Sequence, residues 1–436
     1  MTGRSRRPTT ARQVARRVLQ RVGKAAWASL TLDAELGRAG LEPRDRALAT
    51  ELVYGVLRRR SRLDRALGAF APRGLGGLDP VTLDALRVGA YELLFLRVPP
   101  HAAVDEAVEA VKGARGARLA AFANALLRQL AGRGEPPPPE DPVEALLALE
   151  SCPRWIYAEL AALLGPAEAA DLVRALSQPA PLGLRVARRA APAEVVTRLR
   201  AERPDAAICP SPLVPRGLLV RGGGALHETA AYREGLVTVQ DPGAQLAAAL
   251  VEAQPGERIL DACAGVGGKA LQMADETGSA ARIDAVDLSA QKLALLQENR
   301  LRLGVSGITT RKLDLRQPLP PGLGPYDRIL LDAPCTGLGT LRRHPEAKWR
   351  RSADEVPRLA ALQADLLENV TERLRPGGVL VYSVCTLTRR EGPERIEAFL
   401  GRHSDLEREG EPRLVLPHRD LADGFYLCRL RKRAAS

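Results

Sequence analysis

The stretch Val379-Leu380-Val381-Tyr382-Ser383-Val384-Cys385-Thr386 decides the fold. Gly377-Gly378 breaks a helical pattern, and the apolar run that follows ends on a thiol flanked by small polar residues. Such a run reads as a central strand buried on both faces of a parallel sheet. Cys385 then stands at its carboxyl end, the edge where open α/β sheets bind ligands. Taken alone the segment favours simple packing, because free cysteine is among the most buried residue types. A chemical role has to be argued from the rest of the chain.

From Leu236 onward, strands and helices alternate, the signature of a parallel sheet covered on both faces. The expected strands are Arg258–Ala262, Arg282–Asp287, Thr309–Leu313, Arg328–Leu331 and Val379–Ser383, with helices beginning near Gly268, Ser289 and Ala353. Gly424–Leu430 is a ribbon suited to antiparallel pairing at the sheet's edge. No internal repeat is visible.

Asp261-Ala262-Cys263-Ala264-Gly265-Val266-Gly267-Gly268-Lys269 ends the first of these strands and opens a helix. Its glycines allow a tight turn and a close backbone approach to a ligand, and a helix N-terminus favours anionic groups. The turn is not a P-loop, which needs Gly where Cys263 stands and Ser or Thr where Ala270 stands. It also misfits the dinucleotide fingerprint, whose third glycine falls later. Asp287, about 20 residues past the turn, suits a ribose diol, and Asp314 suits an adenine amino group. Each acid alone reads as a helix cap or turn former. Together they point to an adenosine-bearing ligand without a long phosphate chain, best matched by S-adenosylmethionine. The next strand delivers Asp332-Ala333-Pro334-Cys335, a carboxylate and a second thiol in a proline-stiffened loop. Its strand and that of Cys385 are expected to be neighbours, about 5 Å apart. Cys263 reads as packing rather than reactive.

Residues 9–130 read as helix after helix, with Val14, Val18 and Leu19 on one face of the first. Asp45–Leu57 is another, whose last turn Arg58-Arg59-Arg60 closes where cations suit the dipole. Four prolines, Pro136–Pro139, predict a semi-rigid spacer and a domain boundary. Between it and residue 235 the pattern is mixed, with helices around Trp155–Leu164, Ala167–Leu176 and Ala193–Arg200 and strands at Leu182–Val186 and Gly217–Val220. The chain of 436 residues carries a net charge of +12. Residues 1–136 supply +11 of it, with 24 Arg and Lys against 13 Asp and Glu. That asymmetry suggests a polyanion, most often nucleic acid, although an Arg-rich solubilising surface would look the same. The six cysteines form no C-x-x-C pair, which argues against zinc and disulfides and suits a reducing cytoplasm. No apolar run spans a membrane, and the Arg-rich start, Met1–Arg7, lacks the apolar region of a secretory signal and belongs with the first domain.

Residues 236–432 resemble the RNA (cytosine-5)-methyltransferase family, whose cysteine pair and Asp-Ala-Pro-Cys loop match Asp332–Cys335 and Cys385. The family's Cys-Ala-Ala-Pro-Gly-Gly-Lys loop stands here as Cys263–Lys269, with Gly265 and Val266 departing from it. Glu391 is present, but Gly392-Pro393 replaces the family's Asn-Glu. Val239–Pro242 resembles the opening of that catalytic domain and Asp423–Tyr426 its last strand. Arg44–Leu48 and Phe122–Arg128 resemble NusB, an RNA-binding fold. This combination is that of the RsmB/Sun group, which methylates small-subunit ribosomal RNA.

The resemblance implies three parts: an all-α NusB-like RNA-binding domain (1–133), a small α+β module (142–235) and a Rossmann-like class I methyltransferase domain (236–432). It implies 16S rRNA as partner; the target base must be flipped or already unpaired to reach the thiol, and a monomer is the default expectation. Cys385 would attack the base, Cys335 would serve release as general acid/base, and Asp332 would hold the base edge. Lys269 would touch the base or the cofactor carboxylate, or lie at a helix N-terminus as a surface lysine. The cofactor would lie against Cys263, Ala264, Gly265, Val266, Gly267, Gly268, Lys269, Asp287, Asp314 and Asp332. A tRNA cytosine methyltransferase and a catalytically silent ribosome-assembly scaffold are the alternatives.

Overall fold

The structure, a computed structural model, describes residues 9–24 and 26–434. The Arg-rich start at residues 1–7 lies outside the described residues. Two compact units emerge, one of residues up to Tyr157 with Leu341–Arg350, the other of Ala158–Thr340 with Arg351 to the end.

The first unit is helical. Its helices are α1 (Ala11–Val22), α2 (Ala28–Ala39), α3 (Pro43–Arg58), α4 (Arg60–Gly68), α5 (Pro80–Phe95), α6 (Pro100–Arg115), α7 (Ala117–Arg133) and α8 (Pro142–Glu150). Thr10 and Gln13 form a reciprocal capping box that starts α1, and Val14, Val18 and Leu19 face the core as the spacing predicts. Gly55 lets α3 and α5 meet, since a Cβ there would stand 2.1 Å from Tyr91 Cζ. The Arg58–Arg60 run does more than close one helix. Arg58 is buried, and burial lowers its pKa. Arg59 pairs with Glu150 and lies over Phe95, while Arg60 opens α4. A few of this unit's cations are internal, because an arginine stem packs well when its guanidinium finds an acid or a ring. The proline run stays with this unit, because Arg62 holds Glu135 and Arg65 donates to the carbonyls of Pro136 and Pro137.

In the second unit, the helices Arg154–Leu164 and Pro166–Leu176 lead into a four-stranded antiparallel sheet. Its strands are β1 (Leu182–Val186), β2 (Ala207–Pro210), β3 (Gly217–Arg221) and β4 (Val237–Val239), in the order β2-β3-β1-β4. This small sheet extends past residue 235, since β4 is three residues long and too short to show a period.

The remaining strands build one larger sheet: β5 (Arg258–Ala262), β6 (Arg282–Asp287), β7 (Ile308–Lys312), β8 (Tyr326–Asp332), β9 (Leu374–Val384), β10 (Leu406–Arg408), β11 (Arg413–Val415) and β12 (Phe425–Lys432). Their order is β10-β12-β9-β8-β5-β6-β7, with β11 also on β12. Strands β5 to β9 run parallel, and β12 is antiparallel to β9. Successive residues along the central strands enter different cores. Leu260, Ile329 and Leu380 pack with Leu366 and Val370, whereas Ile259, Leu330 and Val381 pack with Met273 and Leu296. Burial on both faces explains their unbroken apolar character.

Two details depart from the sequence expectation. β12 is not the edge, because β10 and β11 pair with it from the far side. Strand β9 begins at Leu374, so Gly377-Gly378 lies inside it, and the register with β8 shifts between Tyr326 and Arg328. Gly377, at φ +78°, takes up that irregularity rather than starting the strand. Among the described residues no helix is long and apolar enough to cross a membrane.

Candidate active site

Asp261, Asp287, Asp332 and Cys385 stand at or just past the carboxyl ends of β5, β6, β8 and β9 around one cavity of about 470 Å3. Its lining includes Cys263, Ala264, Gly265, Val266, Gly268, Lys269 and Cys335. The turn after β5 is held in an unusual shape, with Cys263 at φ +64° and Gly265 at φ +58°. Asp287 fastens it. One carboxylate oxygen accepts the Gly265 amide at 2.9 Å and the other accepts the Ser289 amide at 2.8 Å. Asp287 therefore both caps a turn and borders the cavity.

Two of the expected cofactor residues are engaged by neighbouring side chains. Gly267 does not line the cavity. It sits at φ +85°, with Leu296 where a side chain would go, so it is glycine for packing. Asp314 also lies outside the lining, its carboxylate taken by the Arg316 guanidinium two residues on. Burial drives the Cys263 thiol up to about 12, with Asp332, Asp287 and Asp261 adding to the effect. It stays protonated, as a packing residue should.

The two thiols meet. Cys335 Sγ and Cys385 Sγ are 3.4 Å apart. Their separation is not set by the strand ladder, which pairs Asp332 with Ser383. The loops beyond are tied together instead, Thr336 to Thr386 through their hydroxyls at 2.7 Å, and Gly339 N to Cys385 O at 3.1 Å. Glu391 is the knot. Its carboxylate, fully buried, accepts the Thr336 amide and hydroxyl, the Gln363 amide and the Thr388 hydroxyl. Burial raises its pKa against the pull of those donors. Gly392-Pro393 follows without disturbing the carboxylate, Pro393 taking the first helical position where no N–H is required.

Asp332 is held on both oxygens, by Ser383 Oγ at 2.8 Å and by Lys269 Nζ at 2.7 Å. Burial works against the Lys269 ammonium, but Asp332 outweighs it and the pKa is raised. Lys269 is thus a partly buried cation held against Asp332 at the mouth of the cavity. Hydrogen bonding to Cys385 and burial push the Cys335 thiol well up.

Asp261, Gln240, Lys292 and Arg351 also line the cavity and were not expected there. For Asp261 the signal existed, since an acid inside the apolar run Ile259-Leu260-Asp261-Ala262 predicts a buried charge that needs a partner. The structure offers little. Asp261 is fully buried and neither oxygen reaches hydrogen-bonding geometry with any described residue, although the Ala270 amide favours its charged form. An orphaned carboxylate in a cavity, with open space at Gly265, fits a ligand that brings positive charge and N–H donors. S-adenosylmethionine, with its sulfonium and ammonium, is such a ligand. Among the described residues no cluster of His, Cys, Asp and Glu suits a metal ion.

Comparison with known proteins agrees with this geometry. Residues 248–431 match the family model of 16S rRNA methyltransferase RsmB/F, and residues 9–132 match that of the NusB family. The chain is 34% identical over 413 residues to ribosomal RNA small subunit methyltransferase B of Vibrio cholerae, covering 90% of this chain and 91% of that one. It is 35% identical over 399 residues to the protein of the same name from Salmonella newport, covering 89% and 91%. The crystal structure of PH0851 shares the fold, with a TM-score of 0.84 at 24% identity over 99% of this chain and 100% of that one. The chain belongs to the RsmB/F family of methyltransferases, with a NusB-family domain at its amino-terminal side, and S-adenosylmethionine is its cofactor.

Proposed function

We propose that the protein methylates C5 of a cytosine in 16S ribosomal RNA through a covalent bond between Cys385 and C6. The observation that carries this reading is the pair of sulfur atoms 3.4 Å apart beside the donor cavity. Cytosine C5 is a poor nucleophile while its ring is conjugated. Attack of the Cys385 thiolate on C6 forms a C–S bond and leaves C5 enamine-like. When bound, S-adenosylmethionine supplies the electrophilic methyl group. Asp332, steadied by Lys269 and Ser383, is positioned at the base edge. N3 is an acceptor, so the contact needs a proton between the two, and it strengthens as negative charge develops in the ring. Release requires the C5 proton to pass to a base and the C6–S bond to break by β-elimination. Once Cys385 is bonded to C6 it no longer carries the charge that holds the Cys335 proton, so Cys335 can lose that proton to solvent and take the one from C5.

The electrostatics of the pair support this division of roles. Two thiols this close do not both ionise readily. Cys335, pushed well up, keeps its proton and is placed to donate it toward the Cys385 sulfur. The target base has to be unpaired or flipped to reach the cavity. One chain carries both thiols and the whole cavity lining, so a monomer suffices, and a ribosomal substrate implies a cytoplasmic location.

Three assays test the reading. Cys385→Ala should abolish methyl transfer while S-adenosylmethionine still binds. Cys335→Ala should accumulate a covalent protein–RNA adduct on denaturing gels. Normal turnover by Cys385→Ala, with loss of turnover and no adduct in Cys335→Ala, would exchange the two roles. Radiolabelled methyl transfer to naked 16S RNA, assembled 30S particles and bulk tRNA fixes the substrate; labelling of tRNA alone, or of nothing, refutes the ribosomal assignment.

A further inference from the structure

The helical unit contains a second cavity, of about 900 Å3. Apolar residues of α1, α3 and α5 form its walls, and Glu346, Trp349 and Arg350 enter from the segment Leu341–Arg350. Five cations and two acids line it. Most of the cations are already engaged. Arg87 is paired with Asp64 and Asp84, Arg115 with Asp79, and Arg350 donates to the Ala26 carbonyl. Arg60 and Lys24 differ, having no ion-pair partner among the described residues. Arg60 lies over the Trp349 ring, 5.5 Å from its centre.

The floor is as telling as the rim. Glu346 is 1% exposed, and its Oε1 accepts the Ala28 amide at 3.0 Å. Its Oε2 is buried with no hydrogen-bond partner among the described residues. A buried acceptor without a donor calls for a ligand or water that supplies one. The Trp349 ring is fixed by its own hydrogen bond to the Leu57 carbonyl at 2.9 Å, so its face is presented rigidly. An aromatic ring with Arg60 beside it, an acceptor at the floor and Lys24 free of any ion pair among the described residues complement a nucleotide.

We propose that this cavity binds one unpaired nucleotide of the substrate RNA, outside the base that is methylated. The base packs against Trp349 and Arg60, an exocyclic amino group donates to Glu346 Oε2, and the phosphate lies at Lys24 and Arg60. Adenine, cytosine and guanine carry that amino group and uracil does not, so the site discriminates against uridine. The inference rests on the reading that the substrate is RNA.

The full-length protein tests it. Lys24→Gln, an exposed position, and Arg60→Gln should each raise the KM for 16S RNA about three- to tenfold. Each should lower the salt slope of RNA binding by about 1, with kcat at saturating RNA and the affinity for S-adenosylmethionine held within about twofold. In a Trp27→Phe/Trp155→Phe protein, Trp349 is the remaining tryptophan. Its fluorescence should be quenched by oligo(A) and oligo(C) and much less by oligo(U). If wild-type protein methylates RNA while Lys24→Gln keeps the wild-type KM and salt slope, the cavity does not bind RNA, and the proposed reaction stands. Should wild-type protein methylate no RNA, the functional reading itself fails. Equal quenching by oligo(U) would remove the role given to Glu346. An Arg60→Gln protein that fails to fold leaves the decision to Lys24→Gln.

Discussion

Acidification should loosen S-adenosylmethionine through Asp261. Burial pushes this carboxyl up to about 7, with Asp332 and Asp287 adding to the shift and Lys269 opposing it. An acid with that value is about nine-tenths protonated at pH 6 and about one-tenth at pH 8. The cationic donor prefers the ionised form, so its affinity should follow the ionised fraction, about tenfold tighter at pH 8 than at pH 6. Binding below pH 7 should release close to one proton. Calorimetric titration with S-adenosylmethionine at pH 6, 7 and 8, in buffers of different ionisation heat, reads both quantities. Asp261→Asn should bind more weakly at pH 8 and lose the slope. The sign for stability is opposite. A carboxyl whose folded pKa exceeds its unfolded value stabilises most below the ordinary carboxylate range, and that contribution is lost as pH rises through about 7. The gap between 3.8 and about 7 sets an upper bound on the order of 4 kcal/mol. Ligand-free protein should therefore melt lower at pH 8 than at pH 5, with added donor restoring much of the difference. A dissociation constant flat within about twofold from pH 6 to pH 8, or an Asp261→Asn protein with the wild-type slope, would refute the reasoning.

Other perturbations have equally definite outcomes. Gly267→Ala puts a Cβ 2.2 Å from Leu296 Cγ at a positive φ, which should cost about 2–4 kcal/mol in a urea melt. Gly267→Ala/Leu296→Ala should lose less than the two single changes added together. Glu391→Ala strands the Thr336 amide and removes one acceptor from Gln363, while the Thr336 and Thr388 hydroxyls can rotate. It should cost about 2–4 kcal/mol and lower adduct yield in a Cys335→Ala background, whereas Glu391→Gln should recover part of both. Lys348 is buried against the carbonyls of Arg58, Glu150 and Ser151, and burial lowers its pKa to about 8. A base depressed in this way gives stability that is fully present above its unfolded value and lost as pH falls through about 8. Thermal stability of the wild type should thus rise between about pH 8 and pH 10, and Lys348→Met should flatten that rise.

The second half of the chain was legible because its chemistry sits at strand ends, where an apolar run followed by Asp or Cys is a local signal. Asp314 stands just past β7 as that rule expects, but the rule does not foresee that Arg316 turns back onto its carboxylate. It also gave Gly267 to the cofactor, because a glycine needed for Leu296 looks, in sequence, like one needed for a ligand. What stayed hidden was long-range. Leu341–Arg350 follows the Cys335 loop yet belongs to the helical unit, with Trp349 bonded to Leu57 and Glu346 to Ala28. No periodicity marks ten residues that change unit. The arginines at 58–60 read as the close of a helix, and sequence does not show that Arg59 and Arg60 also meet an acid and two rings.

The thiol pair shows why the strand ladder alone does not make this site. Strands β8 and β9 align Asp332 with Ser383, after which the two loops are free to diverge. Cys335 lies three residues past its registered position and Cys385 two past its own, so no regular pairing specifies their distance. Thr336, Thr386 and Glu391 supply the specification through a buried cluster with short, charge-assisted bonds. Fixing the sulfurs at 3.4 Å is what lets one thiol control the charge of the other. A pair that drifted apart by even 1–2 Å would lose that coupling, since a sulfur hydrogen bond weakens steeply with distance. The acid two turns of chain away from the nucleophile is therefore as much a part of the proposed reaction as the nucleophile, although it touches neither base nor donor.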